Sequence, residues 1–298
     1  MFINNIDDYE RKNFMSKVAV ITDTNSSMTS EEAEQLGIFL LPMPFIVNGQ
    51  QYLDGVDCTY EHFFEMLAEG ADVSTSQPAP DALTSLWDKV LEDYDEIIHI
   101  PMSSALSSSC ATAKALSADY NGKVWVADNK RISISQRQSA LDALNLAKQG
   151  FSAEEICKKL EETAFNASIY LAVNTLELLK KSGRVTAAGA ALASILGLKP
   201  VLQIQGEKLD AFSKARGMAN AQKVMLTATK KDLEERFAGK PAHIDVAYSG
   251  DYESALEWLE LVRDFFGDKN IQMFRLPISI ACHVGAGVKA LAVIEEIK

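Results

Sequence analysis

Three stretches carry residues that could do chemistry. Ser74-Thr75-Ser76 stands directly before Gln77-Pro78-Ala79-Pro80, so three hydroxyls sit on backbone that two prolines hold extended until a helix begins near Asp81. Hydroxyls and amides fixed in this way can hydrogen-bond a carboxylate or a phosphate at little ordering cost. The plainer alternative is a Pro-bounded turn that caps the next helix. A second group, Pro101-Met102-Ser103-Ser104-Ala105-Leu106-Ser107-Ser108-Ser109, follows an apolar run and leads into a helical pattern. Helix capping explains two or three of its serines but not five, and a strand end running into a helix N-terminus is where parallel α/β sheets hold anions. The third stretch is Cys282-His283-Val284-Gly285-Ala286-Gly287, whose glycines let the backbone turn sharply beside the imidazole.

These residue types admit three chemistries. One is a binding site in which hydroxyls and a histidine hold an acidic ligand. Another is an acyl-transfer or hydrolase centre with Ser107 as nucleophile and His283 as base, for which the sequence offers no assignable acid partner. The third is a closed polar pocket for a sugar or a small acid. Gly285 to Ala290 matches the G-x-G-x-x-A dinucleotide pattern, but no βαβ unit follows it, and the sequence stops before an acid some twenty residues on could appear. No P-loop, G-x-S-x-G or H-E-x-x-H occurs.

The elements that must position these groups alternate. Lys17 to Thr22 reads as a buried strand ending in the polar cluster Asp23-Thr24-Asn25-Ser26-Ser27, with a helix cap at Thr29/Ser30. Ile38 to Val47 reads as a Pro-interrupted strand, Tyr60 to Glu69 and Ala82 to Glu92 as helices, and Glu96 to Ile100 and Lys123 to Ala127 as strands. The serine-rich loop opens a helix running to Ala118, and Ser135 to Gln149 and Ala153 to Phe165 are two helices joined at Gly150. Such alternation implies parallel pairing. Ser168 to Val173 opens the second half, and Val185 to Leu198 is an apolar run of small residues, read as a buried helix. A hairpin-like pair around Gly206 follows, then a long helix from Arg216 to Arg236, a strand from His243 to Tyr248, a helix from Asp251 to Phe266, a strand from Ile271 to Leu276 and the run Val288 to Ile294.

With 298 residues, 47% of them hydrophobic and 23% charged, the chain can bury a large core and suits two domains or one large α/β unit. Its 29 Lys and Arg against 41 Asp and Glu give a net charge of −12, which disfavours nucleic acid and points to a small molecule or a protein as partner. The four cysteines have neither paired nor zinc-like spacing and are read as reduced; no metal site is expected. The first fourteen residues are polar and acidic without an apolar core, so neither signal peptide nor membrane anchor is read there, and a cytoplasmic location is the expectation.

In order along the chain, TDTNSS, STSQPAP, PMSSALSSSCATA, LKKSGRV, LKPVLQI and CHVGAG resemble motifs of the DegV family of bacterial fatty-acid-binding proteins, also called FakB, over residues 17–298. The resemblance implies an α/β fold of two α/β domains, the first with a mostly parallel sheet, and a long-chain fatty acid buried between them. It divides the chain into an extension (1–16), a first domain (17–165) and a second (166–298). It also implies a protein that is not itself an enzyme, uses no cofactor, and presents the fatty-acid carboxylate to an ATP-dependent fatty acid kinase, which forms the acyl phosphate used in phospholipid synthesis. Transient membrane contact is compatible with that role. Thr75 and Ser107 would hydrogen-bond the carboxylate with His283 beside it and Ser76 and Ser108 in the same group, and Arg184 matches an arginine that works with the kinase. Two departures stand out: the family's Leu-Ser-Gly-Thr is Leu106-Ser107-Ser108-Ser109 here, and its Gly-x-Gly-Ala-x-Gly is Gly285-Ala286-Gly287-Val288-Lys289-Ala290.

Overall fold

The apolar run at the start of the chain becomes the strand Val18–Asp23, buried along nearly its whole length. Its two faces are covered by different helices, which is why it lacks the alternation of a half-exposed strand. Ala19 and Ile21 pack with Leu83 and Trp87 on one side; Val20 packs with Ile98, Ala140 and Ala143 on the other. A computed structural model describes residues 16–192, 198–206 and 208–297. In it this strand lies in a four-stranded parallel sheet, in the order Phe39–Leu41, Val18–Asp23, Glu96–Ile100, Val124–Val126. The helices Pro80–Val90 and Ser109–Ser117 cover one face, and Ile134–Lys148 and Ala153–Glu162 the other. The chain leaves the sheet at Asp23 and Ile100, so the polar cluster and the serine-rich loop both emerge at the carboxyl ends of adjacent strands.

The second α/β unit is a six-stranded sheet in the order Asp210–Arg216, Leu198–Ile204, Ala167–Ala172, Lys289–Glu295, Ala242–Tyr248, Gln272–Arg275. All of its pairs are antiparallel except the last. Tyr170, Val246 and Leu291 face Met225 and Trp258 of the helices Met218–Glu235 and Tyr252–Phe266. The opposite face, with Ile169, Leu171, Leu202 and Ala290, meets Leu106, Ile132 and Ile134 from the first half of the chain. The two units therefore share one apolar seam.

Between them stands a small antiparallel sheet, Gln50–Leu53, Pro44–Val47, Val73–Thr75. It corrects two sequence expectations. Ile38 to Val47 is not one strand: Phe39–Leu41 pairs in parallel with Val18–Asp23, and Pro44–Val47 belongs to the small sheet. Pro42 and Pro44 bracket Met43 and break the ladder, because proline has no N–H to donate and restricts the residue before it. Ser74 and Thr75 are likewise not loop but strand, opposite Ile46 and Phe45, and the following helix starts at Pro80, where a missing N–H costs nothing.

His283 lies on a short helix, Ile278–Val284, that sequence reading left unassigned. Pro277 precedes it and Gly285 ends it at φ 73°, with Gly287 at φ 79° two residues on. A β-carbon at Gly287 would come within 2.1 Å of Asn174 Nδ2, so the turn after the histidine does require glycine. The helix packs Ile278, Ala281 and Cys282 against Phe45, Phe63 and Val73 of the small sheet and its neighbouring helix. The expectation of a buried helix over Val185 to Leu198 is not met where the chain is described: a short helix, Ala187–Ala191, has only Gly189 buried, and Leu198 already begins a strand. Thr186 caps this helix by accepting from Gly189 N at 3.1 Å, and its alanines have little surface to lose to water. Residues 193–197 of that stretch lie outside the described residues.

One buried ionisable group ties the parallel sheet to pH. His99 Nδ1 accepts from Trp87 Nε1 at 3.1 Å in the core, and burial pushes the imidazole down to about 3 from 6.5. A group depressed on folding contributes stability that is complete above 6.5 and is lost as pH falls toward 3, on the order of 4 kcal/mol in all. Denaturant unfolding followed from pH 7 to pH 3 should show this decline, and His99→Gln, which keeps an acceptor for Trp87, should flatten it.

Candidate functional site

A cavity of about 250 Å³ opens where the three sheets meet, and Thr75, Ser76, Ser107, Ser108, Arg184 and His283 all line it. Each arrives on a different device. Thr75 and Ser76 come from the end of the edge strand Val73–Thr75. Ser107 and Ser108 come from the loop at the carboxyl end of the parallel sheet, wound tight by Ser107 N donating to Ser103 O at 3.1 Å. His283 comes from the last turn of the Ile278–Val284 helix, and Arg184 from the turn after Glu177–Ser182, where Gly183 is left-handed at φ 69°. Residues 208 positions apart thus meet directly: Thr75 Oγ1 and His283 Nε2 are 2.9 Å apart.

The hydroxyls do not all have the same freedom. Ser107 Oγ accepts from Ser109 N at 3.2 Å and keeps its own hydrogen for the cavity. Ser108 spends its hydrogen on Gln77 Oε1 at 3.0 Å, the oxygen that Thr112 Oγ1 also reaches at 3.0 Å. Ser108 takes ordinary right-handed backbone (φ −76°, ψ −8°) and ties the serine-rich loop to the Thr75 segment. It is a brace between two walls of the mouth. Gln77 was not singled out from sequence, and nor were Asn25 and Ser279, which also line the cavity.

Burial and the nearby Arg184 charge push His283 down to about 4, so the imidazole is neutral at pH 7. In the tautomer that carries its hydrogen on Nε2 it donates to Thr75 Oγ1 and leaves the threonine hydrogen for the cavity. Its Nδ1 is buried and has no partner among the described residues. A hydrolytic triad requires the base to hold the nucleophile on one nitrogen and an orienting acid on the other. Here the first nitrogen meets Thr75 rather than Ser107, and the second meets nothing, so the geometry disfavours Ser107 as a nucleophile.

Beside the polar mouth lies a second cavity that shares part of its wall. Ile132, Leu209, Ile280 and Val284 are walls of both the mouth and a narrower compartment of about 50 Å³. The remaining lining of that inner compartment, including Ile169, Leu171 and Ile204 on the seam, is apolar apart from Ser133. On the outer side Thr75, Arg184 and His283 also border a compartment of about 200 Å³ with Ser74, Lys181 and Ser182. A larger cleft, about 420 Å³, lies on the far side of Asp54 and shares no wall with the apolar compartment. Among the described residues no three His, Cys, Asp or Glu side chains converge as a metal site, and no helix is long and apolar enough to cross a membrane.

The model described as "Uncharacterised protein, DegV family" matches residues 17–296. The chain belongs to the DegV family. It is 29% identical over 284 residues to a DegV domain-containing protein of Staphylococcus aureus, an alignment covering 95% of this chain and 100% of the relative. Among solved structures it resembles a DegV family protein from Thermus thermophilus described for fatty acid binding (TM-score 0.85, 26% identity, 94% of this chain and 99% of that one). It also resembles DegV from Bacillus subtilis, described as a fatty acid binding protein (TM-score 0.81, 25% identity, 95% and 100%). A DegV architecture accounts for the parallel four-stranded sheet joined to a second α/β unit.

Arg184 lowers the His283 pKa only in part, since burial is the larger cause. Arg184→Gln should therefore raise it above about 4 while leaving it below the ordinary 6.5. An NMR titration of the His283 ring proton checks this; an unchanged value would mean that the guanidinium does not act on the imidazole.

Proposed function

We propose that the protein binds a long-chain fatty acid, with its carboxylate at the Thr75, Ser107 and His283 mouth and its chain in the apolar seam between a domain of residues 17–165 and one of residues 166–298. The observation that carries this reading is the shared wall of two neighbouring cavities: a mouth lined by the Thr75 and Ser107 hydroxyls has Ile132, Leu209, Ile280 and Val284 in common with a compartment lined almost wholly by aliphatic side chains. A sugar or a small acid would have no use for such a compartment. Burying about twelve methylenes at roughly 0.8 kcal/mol each contributes on the order of 10 kcal/mol before ordering costs, so the chain supplies most of the affinity. The carboxylate would oppose burial by several kcal/mol if unmet, and the hydroxyl donors remove that opposition and fix which end points outward. Fatty acid binding by the Thermus thermophilus and Bacillus subtilis relatives supports the same assignment.

The protein on this reading is a carrier rather than a catalyst. It presents the carboxylate to a fatty acid kinase that forms the acyl phosphate, and it works in the cytoplasm, which its unpaired cysteines suit. Arg184 and the outer compartment beside it are the face that the kinase addresses, because they border the carboxylate-holding residues from the side away from the apolar seam.

Denaturing extraction of the purified protein followed by mass spectrometry should release fatty acid near one equivalent, and Thr75→Ala should weaken rebinding by about tenfold. Absence of lipid together with no binding in solution would remove the proposal. For the partner, Arg184→Ala should lower acyl phosphate formation by a fatty acid kinase at least about tenfold more than it lowers fatty-acid affinity. Equal losses would show that Arg184 serves the pocket alone.

A further inference from the structure

The polar cluster after the first strand places Asn25 in the wall of the mouth with its side chain only 1% exposed. One end of its amide is committed: Oδ1 lies 2.8 Å from Ser279 Oγ. The other end, Nδ2, is buried and has no partner among the described residues. A buried amide nitrogen without an acceptor is costly in a folded protein, and its position in the lining of a cavity directs attention to what the cavity holds.

Hydrogen counting fixes which end of the amide faces inward. Ser279 Oγ lies 2.8 Å from Asn25 Oδ1 and 3.0 Å from Asp54 Oδ2, yet it owns a single hydrogen. Two arrangements satisfy all three groups, with Asp54 Oδ2 accepting from Ser279 N at 3.0 Å in both. In the first, Asp54 carries a proton and donates it to Ser279 Oγ, the serine hydrogen goes to Asn25 Oδ1, and Nδ2 presents N–H to the cavity. In the second, Asp54 is ionised and accepts from Ser279, the serine accepts from the turned-over amide, and the cavity meets a carbonyl oxygen. These give the mouth opposite preferences: the first suits an anion, the second a hydroxyl or an un-ionised acid. Geometry selects the first: Oδ1 is the end that meets Ser279 Oγ and Nδ2 the end left without a partner among the described residues; burial moves the Asp54 carboxyl above its ordinary value in the same direction, against hydrogen bonds from Ser279 and Ile278 and the charge of Arg275. The neighbouring free donors on Thr75 and Ser107 suit an anion too.

We infer that Asn25 Nδ2 donates a hydrogen bond to the ligand's carboxylate, and that Ser279 and Asp54 are positioning residues that hold the amide in this orientation, so that the site selects an ionised head group over an uncharged one. This rests on the fatty-acid reading above and adds a residue to it. The Asp23-Thr24-Asn25 turn is itself fixed: Asp23 Oδ1 accepts from Asn25 N at 3.0 Å and from Gln136 Nε2 at 3.0 Å, and Asn25 O accepts from Ser133 N at 2.8 Å. The amide is thus placed before any ligand arrives.

The test compares affinities for palmitate and for hexadecanol, which share a chain and differ in head group. Asn25→Asp, which replaces the donor with an acceptor of the same shape, should lower the palmitate-to-hexadecanol affinity ratio by at least about tenfold. Ser279→Ala and Asp54→Ala should lower the same ratio, and Asp54→Asn, whose amide supplies a hydrogen to Ser279, should restore it. In a parallel titration of ¹³C-carboxyl palmitate, the bound carboxyl should have a higher pKa in Asn25→Asp than in the wild type. An unchanged ratio in Asn25→Asp overturns the inference, as does an equal loss of both ligands. A ratio lost in Asp54→Asn would show the turned-over amide instead. If the unaltered protein binds neither lipid, the fatty-acid reading itself fails, which is a different result from any of these.

Discussion

A carboxylate can be taken out of water only where donors already wait for it. In this protein the waiting donors depend on the contact between Thr75 and His283, which joins the edge strand of the smallest sheet to a helix near the other end of the chain. An imidazole held neutral by burial can give its hydrogen to threonine, and the threonine then has one to give onward. Were the imidazole cationic, it would add a buried charge of its own next to Arg184, and the mouth would have to be rebuilt around two cations. The rest of the architecture serves this arrangement. The parallel sheet sends two loops to the place, the six-stranded sheet supplies an apolar floor, and the small sheet with its partnering helix brings in the threonine and the histidine.

Much of this was legible from residue order. Val18–Asp23 and Glu96–Ile100 announce themselves as continuous apolar runs because they are covered on both faces, and the polar segments after them had to lie at the carboxyl edge of a parallel sheet. The meeting of Thr75, Ser107 and His283 at one cavity was likewise readable once the motifs were taken together. Other features left no local trace. Val73–Thr75 is three residues long and mostly polar, and it is a strand only because Pro44–Val47 lies beside it. Ile278–Val284 is buried almost all round, so its apolar residues show no helical period. Ser279, Asn25 and Asp54 come from three distant segments, and nothing in any one of them signals the others.

The brace of Ser108 and Thr112 on Gln77 shows how side chains from two loops can stiffen the mouth between them. Glycine at that place would leave the two loops independent. Serine, in backbone that any residue adopts, connects them through the Gln77 side-chain amide. The change therefore acts on the stiffness of the mouth more than on its chemistry.

The order in which these pieces leave the ribosome gives the Ile278–Val284 helix one more consequence. The strands of the parallel sheet and their covering helices are all in hand by residue 162, and that unit can close on local contacts. The seam cannot, since Val284, Val288 and Ala290 are part of it and the small sheet waits for Ala281 and Cys282. Until that late segment emerges, a nascent chain carries an open apolar trough with no threonine–histidine gate, the kind of surface that chaperones hold and that aggregates when they do not. Completion of the apolar seam and escape from self-association therefore arrive in the same few residues of translation.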